Sequence, residues 1–312
     1  MNLRTTIMIA AYNAAHFLPK SIAAAHAQTG ISPDIVVVDD ASQDQTSQLM
    51  QAYRDVRYFQ LSRNGGPSVA RNKAIDESEG EWIAVLDADD GMMPDRLATM
   101  IRHGVAADAD IVLGNFARVD ISGTPINGGA FLNPSDIFPT HLLSLEDYIA
   151  GNQMTEGEKC LGYLKPLFRR AFLMETRLRY DPALRNSEDY HIIAAALAQG
   201  ARVIISPEPD YLYQQAEGSL SAIVPPKYIE ALLAADAAFA QKVLPTGSET
   251  LAALIQNRRD HLEMLYAAET TMRHLKARRI GPALRHMVKE PKARRLVLAK
   301  LSEAITKRLP QR

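Results

Sequence analysis

Trp82-Ile83-Ala84-Val85-Leu86-Asp87-Ala88-Asp89-Asp90 is an apolar run that stops in three carboxylates. A run of this length, rich in β-branched and large apolar residues and flanked by helical signals, reads as a strand buried on both faces. The carboxylates then fall at its C-terminal end, which in an open parallel sheet is the rim where ligands bind. Side chains two apart on a strand point the same way, so Asp87 and Asp89 can converge on one object, with Ala88 leaving room between them. Carboxylates gathered so closely repel, and a divalent cation carrying its own anionic ligand relieves that repulsion. The plainer reading of an isolated Asp-x-Asp is a pair of turn or capping aspartates after a strand. Context decides between the two.

The same pattern repeats upstream. Thr6-Ile7-Met8-Ile9-Ala10-Ala11 is a short apolar strand closed by Tyr12-Asn13, followed by a helix over 15–28 with Phe17, Leu18, Ile22 and Ala25 on its apolar face. Ile35-Val36-Val37-Val38-Asp39-Asp40 is a second β-branched run ending in carboxylates, and 40–46 is a polar turn before a helix over 47–53 and a strand over 56–61. Asn64-Gly65-Gly66-Pro67 turns the chain sharply into a helix from Ser68, with Arg71 and Asn72 in its first turns. Strands alternating with helices predict a Rossmann-like, mostly parallel sheet flanked by helices. Neither G-x-G-x-x-G nor G-x-x-x-x-G-K-[ST] occurs, so no glycine cradle is expected to hold phosphate. Mg2+ or Mn2+ held on carboxylates can do that instead, through oxygen ligands, with Asp87 and Asp89 as the candidates.

Four ordered stretches carry a family resemblance: Ala10-Ala11-Tyr12-Asn13, Val37-Val38-Asp39-Asp40-Ala41-Ser42, Asn64-Gly65-Gly66-Pro67-Ser68-Val69-Ala70-Arg71-Asn72 and Leu86-Asp87-Ala88-Asp89-Asp90. Together they resemble the family-two nucleotide-sugar glycosyltransferases of A-type fold, and bacterial transferases of exopolysaccharide assembly, including those of succinoglycan type, among them. The resemblance implies one nucleotide-binding α/β domain with an acceptor-binding second half. It implies that Ala10, Tyr12 and Asp40 contact the nucleobase, with Ala11, Asn13, Gly66 and Ala88 also around the nucleotide sugar. Arg71 then approaches the base or the diphosphate, Asp87 the ribose or sugar, and Asp89, with Asp87, the metal. Read without the family, Tyr12 is a core-edge aromatic, Arg71 a surface partner of Asp76 or Glu77, and Asp39 and Asp90 structural braces.

Farther on, the sequence predicts a helix over 94–107, a strand over 110–116, and a Gly- and Pro-rich loop or irregular hairpin over 120–141 that reads as a cover for the sugar site. A short helix follows from Ser144, then a strand running into a helix over 162–170. Asn186-Ser187-Glu188-Asp189-Tyr190-His191 opens a helix over 188–199. Acids in a first turn ordinarily partner the helix dipole. The resemblance instead makes Asp189 the base that takes the acceptor hydroxyl's proton, with Glu188 orienting or binding the acceptor; His191 reads as structural. After a strand over 202–205, Tyr211 to Ser221 is similar to the family's closing motif, but Gln214 and Ala216 stand where Arg and His are common, so only Ser219 and Ser221 carry over. Diphosphate binding then leans on the metal and Arg71.

The chain has 312 residues, 47% of them hydrophobic, enough for a full core. Its one cysteine, Cys160, excludes a disulfide framework and a CxxC centre. No signal-like segment or spanning apolar run is expected, which suits a cytoplasmic protein. Net charge is −1, but from Arg273 onward basic residues far outnumber Glu290 and Glu303, leaving the preceding part acidic. That basic helical end is either a solvated face or attracted to an anionic membrane surface, which suits a peripheral protein and a lipid-linked glycan acceptor. No nucleic-acid module is found. The expected organisation is a catalytic domain over 1–222, divided into nucleotide-sugar (1–118) and acceptor (119–222) sides, and a helical basic region over 223–312. The expected activity is inverting, metal-dependent sugar transfer. Alternatives are a catalytically silent nucleotide-sugar-binding subunit, suggested by Gln214 and Ala216, and a nucleotidyltransferase, for which a glycine-rich basic loop is missing.

Overall fold

Every backbone position from Thr5 to Ile9 is buried, and this segment lies in β1 (Leu3–Ala11) inside the sheet. The computed structural model describes residues 3–154, 160–214, 225–289 and 291–306. Around β1 come α1 (Leu18–His26), β2 (Ile31–Asp39), α2 (Thr46–Met50), β3 (Arg57–Gln60), α3 (Pro67–Asp76) and β4 (Trp82–Val85). β1 pairs in parallel with both β2 and β4, and β2 pairs in parallel with β3. Val36, Val37 and Val38 are wholly buried, as the continuous β-branched run requires of a strand covered on both faces.

The second half is mixed rather than parallel. It holds β5 (Gly91–Met92), α4 (Arg96–Ala106), β6 (Ile111–Val119), β7 (Pro125–Ala130), α5 (Leu145–Ala150), β8 (Lys165–Arg169), α6 (Arg170–Thr176), α7 (Glu188–Ala198) and β9 (Val203–Gln214). The sheet order is β3-β2-β1-β4-β8-β6-β9-β5, with β7 on β6. β8 runs antiparallel to both β4 and β6, which brings Lys165, at its start, to the end of β4 where the carboxylates begin. Part of the 120–141 segment is strand: β7 pairs with β6, and Phe131 stacks on Phe116 with ring centroids 4.3 Å apart. Two-residue β5 carries no periodic signal, and it is held by antiparallel pairing with β9 at Gly91–Leu212 and Met92–Tyr211.

The chain divides into two compact units, Met1–Gly151 with Lys159–Ser219, and Asn152–Glu158 with Leu220–Arg312. The second contains α8 (Pro226–Val243), α9 (Glu249–Lys276), α10 (Ile280–Lys289) and α11 (Arg294–Thr306). Its core includes Ala268, Met272, Ala293 and Val297. Buried Arg258 donates to Asp236 at 2.9 Å and to the Asn152 carbonyl, tying the short 152 segment to the helices. No helix among the described residues is long and apolar enough to cross a membrane.

Candidate active site

Arg71 lies on α3 with only 5% of its surface exposed. Burying a guanidinium demands charge and hydrogen-bond partners. Three carboxylates supply them: Nη2 donates to Asp87 at 2.8 Å, while Nη1 donates to Glu188 at 2.6 Å and to Asp189 at 3.2 Å. The nearby Asp76 and Glu77 are not its partners, since Arg179 takes the first and Lys73 the second. Tyr180 covers the guanidinium at 5.4 Å, and burial together with Asp189 pushes its phenol well above the usual range.

The Asn64 to Asn72 motif builds the platform under this arginine. Asp40 accepts from the amides of Gly65 (2.6 Å) and Gly66 (2.8 Å), holding the turn that starts α3. Gly66 has φ 90° and ψ 172°, a conformation essentially confined to glycine. Ser68 donates to the Leu184 carbonyl at 2.7 Å, and Asn72 exchanges two 2.8 Å bonds with the Tyr180 backbone. Arg185 reaches back to Asn64 at 2.7 Å. The segment leading into α7 is therefore fastened to α3, which sets Glu188 and Asp189, in the first turn of α7, against Arg71. Ser187, before them, has a left-handed backbone with φ 57°.

A second buried cation meets the rim from β8. Lys165 donates to Asp87 at 2.5 Å, so Asp87 is held by two cations, and its carboxyl lies well below the usual range because Lys165 and Arg71 outweigh its burial. Lys165 is itself raised by Asp87 against the opposing effect of burial. Asp90 accepts from the Tyr211 hydroxyl (2.7 Å) and the Gln214 amide (2.8 Å). Burial, then the Asp87 charge, push Asp90 up to about 8. The Tyr211 hydroxyl also accepts from the Asp87 amide at 3.1 Å, and its ring has Arg96 and Lys165 within 5.1 and 5.7 Å. Burial raises Glu188 as well, with Asp189 adding to the effect.

Asp89 differs from its neighbours. Among the described residues no other side chain hydrogen-bonds or ion-pairs with it, and burial followed by the Asp87 charge raises its carboxyl above the usual carboxylate range. Among the described residues no group of three His, Cys, Asp or Glu side chains assembles as a metal cage. The chain thus offers one open carboxylate beside one already neutralised. That set fits a hard divalent ion that takes its remaining oxygens from a phosphorylated ligand and water.

The other sequence-predicted positions lie along the same ends of β1 and β2. Ala10 and buried Ala11 end β1, and Tyr12 follows with 49% of its surface exposed. Asn13, with φ 50°, accepts from the Gln43 amide on its side-chain oxygen and donates its own amide to Ser42 Oγ, each at 2.8 Å. Asp39 accepts from Ser42, Tyr58 and Gln60 and is wholly buried. Ala88 sits between Asp87 and Asp89 in a turn. Gln214 takes Lys20 at 2.8 Å. His191 is buried against the Tyr190 ring. Ser219 and Ser221 lie outside the described residues. Lys165, Tyr180 and Tyr211 were not singled out from the sequence. The one signal for Lys165 was a lone cation inside the apolar stretch Leu164-Lys165-Pro166-Leu167-Phe168.

The family model described as glycosyl transferase family 2 matches residues 6–169. The chain is 40% identical over 256 residues to the succinoglycan biosynthesis protein ExoO of Rhizobium meliloti (strain 1021), covering 81% of this chain and 72% of that protein. It superposes on residues 1–349 of S. aureus TarS in complex with UDP-GlcNAc with TM-score 0.61 and 22% identity, covering 88% of this chain and 73% of that one. The mannosyltransferase PcManGT of Pyrobaculum calidifontis, in complex with GDP-Man and Mn2+, gives TM-score 0.57 and 17% identity over 98% of this chain and 81% of that one. At these identities the structural likeness is one of fold.

Proposed function

Since the chain belongs to glycosyl transferase family 2, folds as an A-type glycosyltransferase and is a glycosyltransferase, we propose that it moves a hexose from a UDP-sugar to a hydroxyl of a glycan acceptor. The transfer inverts the anomeric carbon and serves exopolysaccharide or cell-surface polysaccharide assembly. The similarity to a succinoglycan biosynthesis protein supports that setting, and the fold neighbour bound to UDP-GlcNAc supports the donor class. The observation that carries the reading is Asp189, held at 3.2 Å by the same guanidinium that holds Asp87 on the strand-end rim.

In this reading Ala10, Ala11, Tyr12 and Asn13 with Asp40 line the base, and Gly66, Arg71, Asp87 and Ala88 border the sugar diphosphate. Asp189 takes the proton of the attacking hydroxyl, which is a poor nucleophile at its free pKa. Glu188 orients the acceptor. Arg71 keeps Asp189 pointed, and Lys165 keeps Asp87 from repelling the incoming diphosphate. Mg2+ or Mn2+ on Asp89, when bound, offsets the charge that grows on the leaving diphosphate. We assign the ion to Asp89 rather than to Asp89 and Asp87 jointly, because Asp87 is already neutralised by two cations. The basic C-terminal helices hold the protein peripherally at the inner, anionic membrane face, where each basic residue near the surface adds ~1 kcal/mol. A lipid-linked acceptor is met there.

Incubation of the protein with UDP-glucose, Mn2+ and a lipid-linked saccharide tests the reading. Release of UDP with a product of inverted anomeric configuration is the expected result. Intact UDP-sugar across a panel of donors and acceptors, despite measurable UDP binding, points instead to a silent binding subunit.

A further inference from the structure

Among the described residues, α10 is docked by one face. Ala283 is fully buried and Met287 packs against the core of the helical unit, while His286 Nδ1 lies 3.0 Å from Thr271 Oγ1 on α9. A neighbouring face carries Ile280, Leu284 and Val288, which are 63%, 57% and 71% exposed. Spacing of four residues at 3.6 per turn puts them in one stripe along the helix. Three large apolar side chains in line, each more than half exposed, cost free energy in water unless something covers them.

The charges beside the stripe say what the cover is. From Arg273 to Lys289 the chain has no Asp or Glu, and it carries Arg273, Lys276, Arg278, Arg279, Arg285 and Lys289. Arg285 and Lys289 are exposed on α10 itself, and Arg278 and Arg279 immediately precede it. Lys227, Arg273 and Arg279 also border a recess of about 270 Å³ together with His274, Tyr266 and Glu230. Among the described residues none of these three cations makes an ion pair. An apolar stripe edged by unpaired cations is the pattern of a helix that lies in the plane of an anionic interface.

We propose that α10 is an in-plane lipid anchor, inserting Ile280, Leu284 and Val288 at an anionic bilayer surface while Arg279, Arg285 and Lys289 meet the headgroup phosphates. This deepens the membrane-surface part of the proposed function and rests on it, and it does not depend on which sugar is transferred. It differs from a purely electrostatic attachment in requiring the apolar stripe.

Flotation of the full-length protein with vesicles of phosphatidylcholine, with and without phosphatidylglycerol, tests it. The protein is expected to float only with the anionic vesicles. A Leu284→Asp, Val288→Asp double variant is expected to lose at least about tenfold in vesicle partitioning while keeping its circular dichroism and its UDP binding, and a Leu284→Ser, Val288→Ser variant is expected to lose less. As a readout independent of that variant's folding, Val288→Trp is expected to shift its emission to the blue when anionic vesicles are added. Undiminished anionic binding by the Asp variant overturns the anchor and leaves an electrostatic attachment standing. Absence of any vesicle binding by the native protein overturns both the anchor and the membrane-surface reading. A native dimer that the double variant dissolves, without vesicle binding, overturns them in favour of a second copy of the chain on this face.

Discussion

Arg71 Nη1 lies 3.2 Å from Asp189 Oδ1, joining residues 118 positions apart, while Nη2 of the same side chain holds Asp87 at 2.8 Å. One guanidinium therefore spans the strand-end rim and the first turn of α7. An arginine can do this because its planar fork presents several fixed N–H directions at once, which an ammonium cannot.

Asp189→Asn keeps the shape of the side chain and an oxygen that still accepts from Arg71, but it cannot take a proton. Transfer is expected to fall by ~10²–10⁴-fold with UDP-sugar affinity unchanged. Single-turnover measurements on a saturating donor check this, and unaltered turnover refutes the base assignment.

Removing the fork should cost stability before it costs chemistry. Arg71→Ala leaves three carboxylates facing one another at a site that is almost wholly buried, and a loss of about 3–5 kcal/mol is expected. Arg71→Lys restores one charge without the bidentate geometry and should recover only part of that loss. Urea midpoints of the two variants measure the difference.

The rim also makes a pH signature. Asp90, raised from 3.8 to about 8, binds its proton more tightly in the fold than in the unfolded chain. Its stabilising contribution is therefore complete below about pH 4 and is lost as the pH climbs to about 8. Asp87, lowered by Lys165 and Arg71, works the other way: its contribution is present above the ordinary carboxylate range and lost as the pH falls below it. Asp90→Asn should remove the first trend and leave the second, as melting temperatures from acid to mildly basic pH will show.

Gly66 has a conformation that an L side chain does not tolerate, and a Cβ there also meets Arg185 Cγ at 3.1 Å. Gly66→Ala should destabilise by about 1–3 kcal/mol. Because the turn is held by Asp40, Asp40→Ala should weaken the same element, and thermal unfolding of both single variants and the double variant reports whether the two act as one unit.

β1, β2 and β4 were legible because each is a short apolar run bounded by a helix signal, and that alternation predicts the parallel sheet in which β1 lies between β2 and β4. The antiparallel insertion of β8 was not, since nothing in a five-residue strand states its direction or its neighbours. The acidic rim was readable from Asp87, Asp89 and Asp90 as spacing. Its division of labour was not: which carboxylate is neutralised depends on Lys165, 78 positions away, and which one is raised depends on how deeply the fold buries Asp90 and on the Asp87 charge beside it. In the Asn64 to Asn72 motif, the sequence marked the residues as a set. Only the fold shows that Ser68, Arg71 and Asn72 each fasten the approach to α7.

Asp89, the open carboxylate of the rim, is the proposed seat of the divalent ion and, through it, of the phosphates of the sugar nucleotide. Calorimetric titration of UDP into the native protein and into Asp89→Ala, each with Mn2+ and with chelator, tests that directly. The native protein should bind UDP far more tightly with Mn2+ than without, and Asp89→Ala should bind weakly and equally in both conditions. Manganese-enhanced UDP binding that survives in Asp89→Ala would contradict it.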